Sequence, residues 1–354
     1  MSPSYKGKVS IIVGLFNVSK YLEEKRLSCI LQQTWSNLEI LLINDGSTDN
    51  TPDICQKLAK EDARIRLINK PNGGLGSARN AGLDAASGEF VWFYDVDDEV
   101  ELDLVEKNIG WIKDFNADMI VFGMTYTDSD TGNTEASHFN DWFFNSNEDL
   151  KAGFVDKLFL VPNGNGFVTN KFYRKEFLGR VHARFGRQRI QQDELFNLQL
   201  YPNVNRLYLS SEVLYHYFIY NSGNNRSCYI PDRILVYESI FDGINTFQRE
   251  WRLKDKRMED AAYKRLYQGI GLSVIFNTFH PDAPSSQKWK REEINRILSR
   301  PTVLRCLDHF TKHNDFKLEG KLFLHAFNAR NYSQIRILRF FFQALRKIKH
   351  SFTF

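Results

Sequence analysis

Five short, strand-like and mostly apolar runs punctuate the first 122 residues: Val9–Val13, Leu38–Ile43, Arg64–Ile68, Glu89–Tyr94 and Asp118–Phe122. Stretches of helical periodicity separate them. A strand covered on both faces reads as a continuous apolar run, so this alternation predicts an α/β fold with a mostly parallel, Rossmann-like sheet flanked by helices. Val18, Leu22 and Cys29 recur at i, i+4 and i+11, which predicts one helix face between the first two runs. Another helix is expected after Ser47, Thr48 and Asp49, whose short side chains can cap it, and it would bury Ile54 and Leu58. The loops leaving the C-terminal ends of the runs are polar or Gly-rich. In an open α/β sheet, ligands bind at that edge.

With 354 residues, 42% hydrophobic and 25% charged, the chain has ample core material for two or three domain-equivalents. A disulfide-stapled miniprotein and a disordered chain are both excluded. Cys29, Cys55, Cys228 and Cys306 are scattered without a CxxC pair, as expected of free, core-filling thiols in a reducing compartment. No leader-like apolar stretch precedes Val9, and no run of 18 apolar residues occurs. The expected location is therefore cytoplasmic, or peripheral at the inner face of the cell membrane.

Charge is unevenly placed. After Glu319 no acid follows, while Lys321, Arg330, Arg336, Arg339, Arg346, Lys347 and Lys349 do. The chain total of +4, less these seven bases, leaves −3 for the rest. A mildly acidic body argues against nucleic acid as a partner, and the basic tail argues for an anionic one. Within 333–354, Ile335, Leu338, Phe342 and Leu345 fall at helical spacing among the bases. Such a helix can lie on an anionic membrane surface or pack its stripe on protein, including a second subunit of a homo-oligomer.

The organisation expected is a catalytic domain over 1–230 and a helical extension over 231–354. Residues 128–147 turn polar and read as a connection, and Leu207–Leu209 and Val213–Phe218 read as strand pieces.

Three clusters sit where chemistry is expected. Asp95-Val96-Asp97-Asp98 follows a strand, and three carboxylates within four residues suit a hard divalent cation holding a diphosphate. Equally, they could start a helix over Glu99–Lys113. Asn44-Asp45-Gly46-Ser47-Thr48-Asp49 follows another strand, and Asp45 could accept from a nucleobase N–H or belong to a plain capped turn. Asn72-Gly73-Gly74-Leu75-Gly76-Ser77-Ala78-Arg79-Asn80 suggests GxGxxG, but Arg79 occupies the third glycine position and defeats a dinucleotide reading. An Arg near a helix start is instead placed to clamp phosphate or carboxylate oxygens.

Together, in this order and spacing, these segments resemble the GT-A domain of family 2 glycosyltransferases. The resemblance includes Val9-Ser10-Ile11-Ile12-Val13-Gly14-Leu15-Phe16-Asn17, Ser28 to Ile40, Asn44 to Asp49, Gly74 to Gly82 and Asp95 to Asp98. It continues in Asn170-Lys171-Phe172-Tyr173-Arg174, in Gln192-Asp193-Glu194-Leu195-Phe196, and in Tyr215-His216-Tyr217 with Arg226-Ser227. Gly14 replaces the family's Pro, Asn44 its first Asp, and Gln192 the acid before its catalytic Asp.

The resemblance implies nucleotide contacts at Phe16, Asn17, Asp45, Asn72, Arg79, Asp95 and Val96. It implies Mn²⁺ or Mg²⁺ at Asp95 and Asp97, and a catalytic base at Asp193, with Glu194 the neighbouring alternative. His216 stands as a metal or phosphate contact or as a rim histidine. The expected activity is metal-dependent, inverting transfer of a sugar from a nucleotide-sugar donor, UDP-linked, to a hydroxyl of a glycan or lipid-linked acceptor in cell-surface polysaccharide synthesis. The alternative is a non-catalytic GT-A-like module of a polysaccharide-assembly complex. A nucleotidyltransferase is disfavoured because Gly14-Leu15-Phe16-Asn17 lacks a basic residue.

Overall fold

The computed structural model describes residues 7–162, 164, 166–220, 228–313 and 318–348, with side chains of the last helix as far as Phe341. The chain forms two compact units divided at 224/225.

In the first unit the elements run β1 (Val9–Leu15), α1 (Ser19–Glu23), α2 (Ser28–Leu31), β2 (Leu38–Asp45), α3 (Thr51–Glu61), β3 (Ile65–Lys70) and α4 (Leu75–Ala85). They continue as β4 (Phe90–Tyr94), β5 (Glu99–Val100), α5 (Leu104–Asp114), β6 (Met119–Asp128), β7 (Thr134–Ser137), β8 (Trp142–Phe144) and α6 (Asn147–Phe154). The last are β9 (Lys171–Arg174), α7 (Lys175–Val181), α8 (Gln192–Leu200) and β10 (Leu207–Ile219). Along the path β3-β2-β1-β4-β9-β6-β10-β5, six strands run one way and β9 and β5 oppose them. The fold is thus the expected α/β arrangement around a mostly parallel sheet.

β1 lies between β2 and β4, with Ile11 opposite both Ile40 and Trp92. At such a switch point the flanking connections diverge and leave a crevice at the strands' C-terminal ends. β1, β2 and β4 form there because their apolar residues are buried on both faces. Gly82 lets α4 lie against this sheet, since a Cβ there would stand 2.3 Å from Ile12 Cγ2.

Glu39 is a buried carboxylate near the start of β2, at 3% side-chain exposure. Burial alone would raise its pKa, but the Ser87 amide, the Ser10 hydroxyl and Arg66 more than offset that and hold it at about 2. A depressed carboxylate stabilises the fold above its unfolded pKa and loses that contribution as pH falls towards 2. Glu39→Gln is therefore expected to cost about 2 kcal/mol at neutral pH. The thermal midpoints of the two proteins should converge as pH drops from 5 to 2; a constant gap would contradict this role.

Four local expectations are corrected. The helix through Val18, Leu22 and Cys29 is two short helices, α1 and α2, split where Lys25 takes a left-handed φ of 58° and Arg26 reaches Glu99 at 2.7 Å. The break accompanies a contact 73 positions away, which local helix propensity does not encode. Glu99 begins a strand rather than a helix, and α5 starts only at Leu104 after Asp103. The polar stretch 128–147 contains β7 and β8, whose partly exposed edge positions lack the continuous apolar run of a buried strand. Leu207–Leu209 and Val213–Phe218 are one strand interrupted by register shifts.

The second unit is helical: α9 (Arg233–Glu250), α10 (Lys256–Gly271), α11 (Gln287–Leu298), α12 (Pro301–His313), α13 (Leu318–Asn328) and α14 (Tyr332–Ile348). α10 packs on α9 and α12, burying Met258, Leu266 and Ile270 with Ile240, Ile244, Val303 and Phe310. None of the four cysteines is in a disulfide, and Cys55 and Cys306 are fully buried. Among the described residues, no helix is long and apolar enough to cross a membrane.

Candidate active site

β1 is followed by Phe16, which is 49% exposed, and Asn17, which takes a left-handed φ of 53°. The Asn17 carboxamide oxygen accepts from the Thr48 amide at 2.8 Å, and the Asn17 amide donates to Ser47 Oγ at 3.0 Å. The loops after β1 and β2 are thereby held together, with an aromatic ring presented beside them.

At the end of β2, Asp45 is 2% exposed. Its carboxylate accepts from the Gly73 amide at 3.0 Å, from the Gly74 amide at 2.7 Å and from the Lys70 ammonium. Asn72, exposed at the loop tip, donates to the Asp45 carbonyl at 2.8 Å. Asp45 therefore organises the Gly-rich loop that leads into α4. Three of its roughly four acceptor positions are engaged.

Arg79, one turn into α4, is 2% exposed. Its Nη2 donates to both oxygens of Asp95, at 2.9 and 3.1 Å, and its Nη1 to Asp193 Oδ1 at 2.5 Å. The guanidinium lies 5.4 Å from the Phe185 ring centre and 6.0 Å from that of Phe93. Burial alone would lower its pKa, but the Asp193 and Asp95 charges push it upward instead. A buried cation is tolerated when such partners surround it. The segment before α8 is pinned to α4 by reciprocal bonds of 3.0 Å between the Asn80 side chain and the Phe185 backbone. Gly76 permits the approach: a Cβ there would stand 2.6 Å from the Gly186 carbonyl oxygen.

The acidic cluster after β4 divides into two kinds of residue. Asp98 is fully buried, accepting from Tyr215 Oη at 2.6 Å and the Phe218 amide at 3.0 Å. Burial first, then the charges of Asp97 and Asp95, push its pKa well up. Val96 is 3% exposed with its side chain in the core, which leaves its backbone for any ligand. Asp95 and Asp97 remain half-buried at the sheet edge. Among the described residues, no three His, Cys, Asp or Glu side chains are placed to hold a metal by themselves. Two carboxylates nevertheless fit Mg²⁺ or Mn²⁺, which take much of their oxygen shell from water and substrate phosphates. The negative charge crowding Asp98 is what such a cation would relieve.

Asp193 lies in the first turn of α8, 15% exposed, and its Oδ2 accepts from the Val168 amide at 3.3 Å. Glu194 follows at 6% exposure, and on a helix it projects about 100° away. The carboxylate brought to Arg79 is thus that of Asp193. Lys171 is fully buried, its ammonium donating to the Gly164 carbonyl at 3.0 Å, the Phe167 carbonyl at 2.5 Å and Asn170 Oδ1 at 3.0 Å. Burial pushes its pKa down to about 7, with the Asp193 charge opposing. These bonds brace the turn whose Val168 amide holds Asp193.

Sequence reasoning did not find the Arg79 link between Asp95 and Asp193, or Tyr215 as the partner of Asp98. The spacing carries no signal for contacts 114 and 117 positions apart. His216 has both ring nitrogens engaged, Nδ1 with Thr125 Oγ1 at 3.0 Å and Nε2 with Glu101 at 2.9 Å. Arg226 and Ser227 lie outside the described residues.

The glycosyl transferase family 2 model matches residues 10–181. EpsH of Bacillus subtilis is 32% identical over 219 residues, 60% of this chain and 61% of EpsH. The glycosyltransferase GlyG of Streptococcus pneumoniae is 30% identical over 226 residues, 59% of this chain and 70% of GlyG. A crystal structure of Staphylococcus aureus TarS residues 1–349 with UDP-GlcNAc superposes with a TM-score of 0.59 at 20% identity, covering 95% of this chain and 92% of that one. The family match includes the loops after β1, β2 and β4 and helix α4, and ends before α8, and the likeness in structure is that of the GT-A fold. The chain belongs to glycosyl transferase family 2.

Proposed function

We propose that the protein is a metal-dependent, inverting glycosyltransferase that moves a sugar from a nucleotide donor, a UDP-sugar, to a hydroxyl of a glycan or lipid-linked acceptor. The observation that carries this reading is one buried guanidinium, Arg79, joined to Asp95 on the β4 loop and to Asp193 on α8. It brings a carboxylate from the β4 loop and one from α8 to a single guanidinium, and this supports the reading because a displacement at an anomeric carbon needs one acidic group for each of its two sides. The acceptor hydroxyl must lose a proton on one side while the diphosphate departs on the other.

In this reading Asp193 takes the acceptor's proton as the new C–O bond forms and the bond to the diphosphate breaks. Arg79 and the Val168 amide orient it. Asp95 and Asp97 would hold Mn²⁺ or Mg²⁺, which supplies charge neutralisation to the departing diphosphate. Phe16 offers its exposed face to the base, and Asn17, Asn72 and the Val96 backbone line the nucleotide side. The unit containing the sheet carries the catalysis, assigned to 1–230, with 231–354 as an extension that attaches the enzyme to the inner face of the membrane. Cell-surface polysaccharide synthesis is the process this reading fits.

Asp45 acts on the donor by shaping the Asn72–Gly74 loop. Asp45→Ala is expected to weaken UDP binding at least about tenfold, since several bonds to a buried carboxylate are lost. Calorimetry in Mn²⁺ checks this. Equal affinity in wild type and variant would remove the loop from the nucleotide site, and wild type that does not bind UDP would overturn the donor assignment.

A further inference from the structure

Helix α14 carries two apolar faces where packing needs one. Ile335 is fully buried, and Arg339 turns inward, donating to the Ile275 carbonyl at 3.2 Å with its guanidinium 4.7 Å from the Phe279 ring centre. The opposite side presents Ile337, Phe340 and Phe341 at 55%, 70% and 60% exposure. At 3.6 residues per turn, positions 333, 337, 340 and 341 share that side, while 335 and 339 lie across the helix and the half-buried Leu338 lies between. Of the expected stripe, Ile335 thus faces protein and Leu338 lies at its margin, while a different set of apolar residues faces outward. Phe342, Leu345, Arg346, Lys347 and Lys349, the rest of the expected stripe and its bases, lie outside the described side chains.

Cations frame the outward face. At its N-terminal end Ser333 shares a cleft of about 300 Å³ with Arg291 and Arg330. Arg336 is exposed along its flank. No acid follows Glu319 in the sequence.

We propose that this face docks on an anionic lipid bilayer, with Ile337, Phe340 and Phe341 entering the boundary between headgroups and acyl chains and Arg291, Arg330 and Arg336 meeting lipid phosphates. The proposal rests on the reading of the chain as a membrane-associated transferase and identifies the residues that make the association. Charge complementarity selects lipid over a second copy of the chain. A two-fold dimer would set this basic face against itself, whereas anionic headgroups neutralise it.

The test is flotation of the full chain with vesicles of phosphatidylcholine alone or mixed with phosphatidylglycerol. Wild type should float with the mixed vesicles and be released by salt. A Phe340→Ser, Phe341→Ser double variant should bind at least about tenfold more weakly, because two buried rings are lost from the bilayer. Arg336→Glu should weaken binding as well. Wild type that ignores anionic vesicles, or a double variant that floats like wild type, would overturn the proposal. So would a wild-type dimer in sedimentation that the double variant loses while neither binds lipid. UDP binding and thermal midpoint, measured on the same samples, should match wild type. Loss of docking is thereby separated from misfolding, and from failure of the transferase reading.

Discussion

Asp193→Asn is expected to lower turnover by about two to four orders of magnitude, the range for losing a general base. The substitution keeps the size of the side chain and an oxygen that can still accept from Arg79, so the ring-lined pocket around the guanidinium should persist. What disappears is the basic lone pair offered to the acceptor hydroxyl. UDP binding should change little, because Phe16, Asn17 and the Asp45-held loop are untouched. The informative comparison is Glu194→Gln. Glu194 leaves the helix in another direction and should matter far less to turnover. If Glu194→Gln proved the more damaging, the base would move by one residue. If Asp193→Asn lost UDP binding, α8 would belong to the nucleotide side, and the two-sided reading would be wrong.

Asp97→Ala is expected to abolish detectable transfer while leaving the fold as stable as before. Its carboxylate is half-buried at the strand end, and, after burial itself, its charge and the charge of Asp95 push the pKa of buried Asp98 upward. Removing a like charge eases that strain, so the thermal midpoint should hold or rise even as activity vanishes. Opposite signs for activity and stability are typical of a group kept for chemistry rather than packing. Full activity of the variant in chelator-treated buffer would remove Asp97 from the metal site. A fall in midpoint comparable to loss of a core residue would make it structural.

The parts of this molecule legible in its sequence are those set by local chemistry. β1, β2 and β4 announce themselves because strands buried on both faces are continuous apolar runs, and the polar loops at their ends mark the crevice. The parts that were not legible depend on partners far along the chain. Asp95, Asp97 and Asp98 read alike as letters, and Tyr215 and Phe218 of β10 are what separate the structural acid from the other two. Arg79 reads as a clamp for oxygens, but that its oxygens belong to Asp95 and Asp193 follows from α4 packing between two loops. Likewise the α1 and α2 break coincides with Arg26 meeting Glu99, 73 positions along the chain. In α14 periodicity finds an apolar stripe, while the neighbours it packs on decide which of two faces is covered.

The central claim, that Asp95, Asp97 and Asp193 serve one metal-dependent sugar transfer, is tested most directly by following nucleoside diphosphate release from a panel of nucleotide sugars, with Mn²⁺ and with the metal chelated. The account predicts release from a UDP-sugar in Mn²⁺, its loss on chelation, and its recovery when Mn²⁺ is restored. Release at an unchanged rate in chelator, or none from any donor by a folded protein that binds UDP, would contradict it.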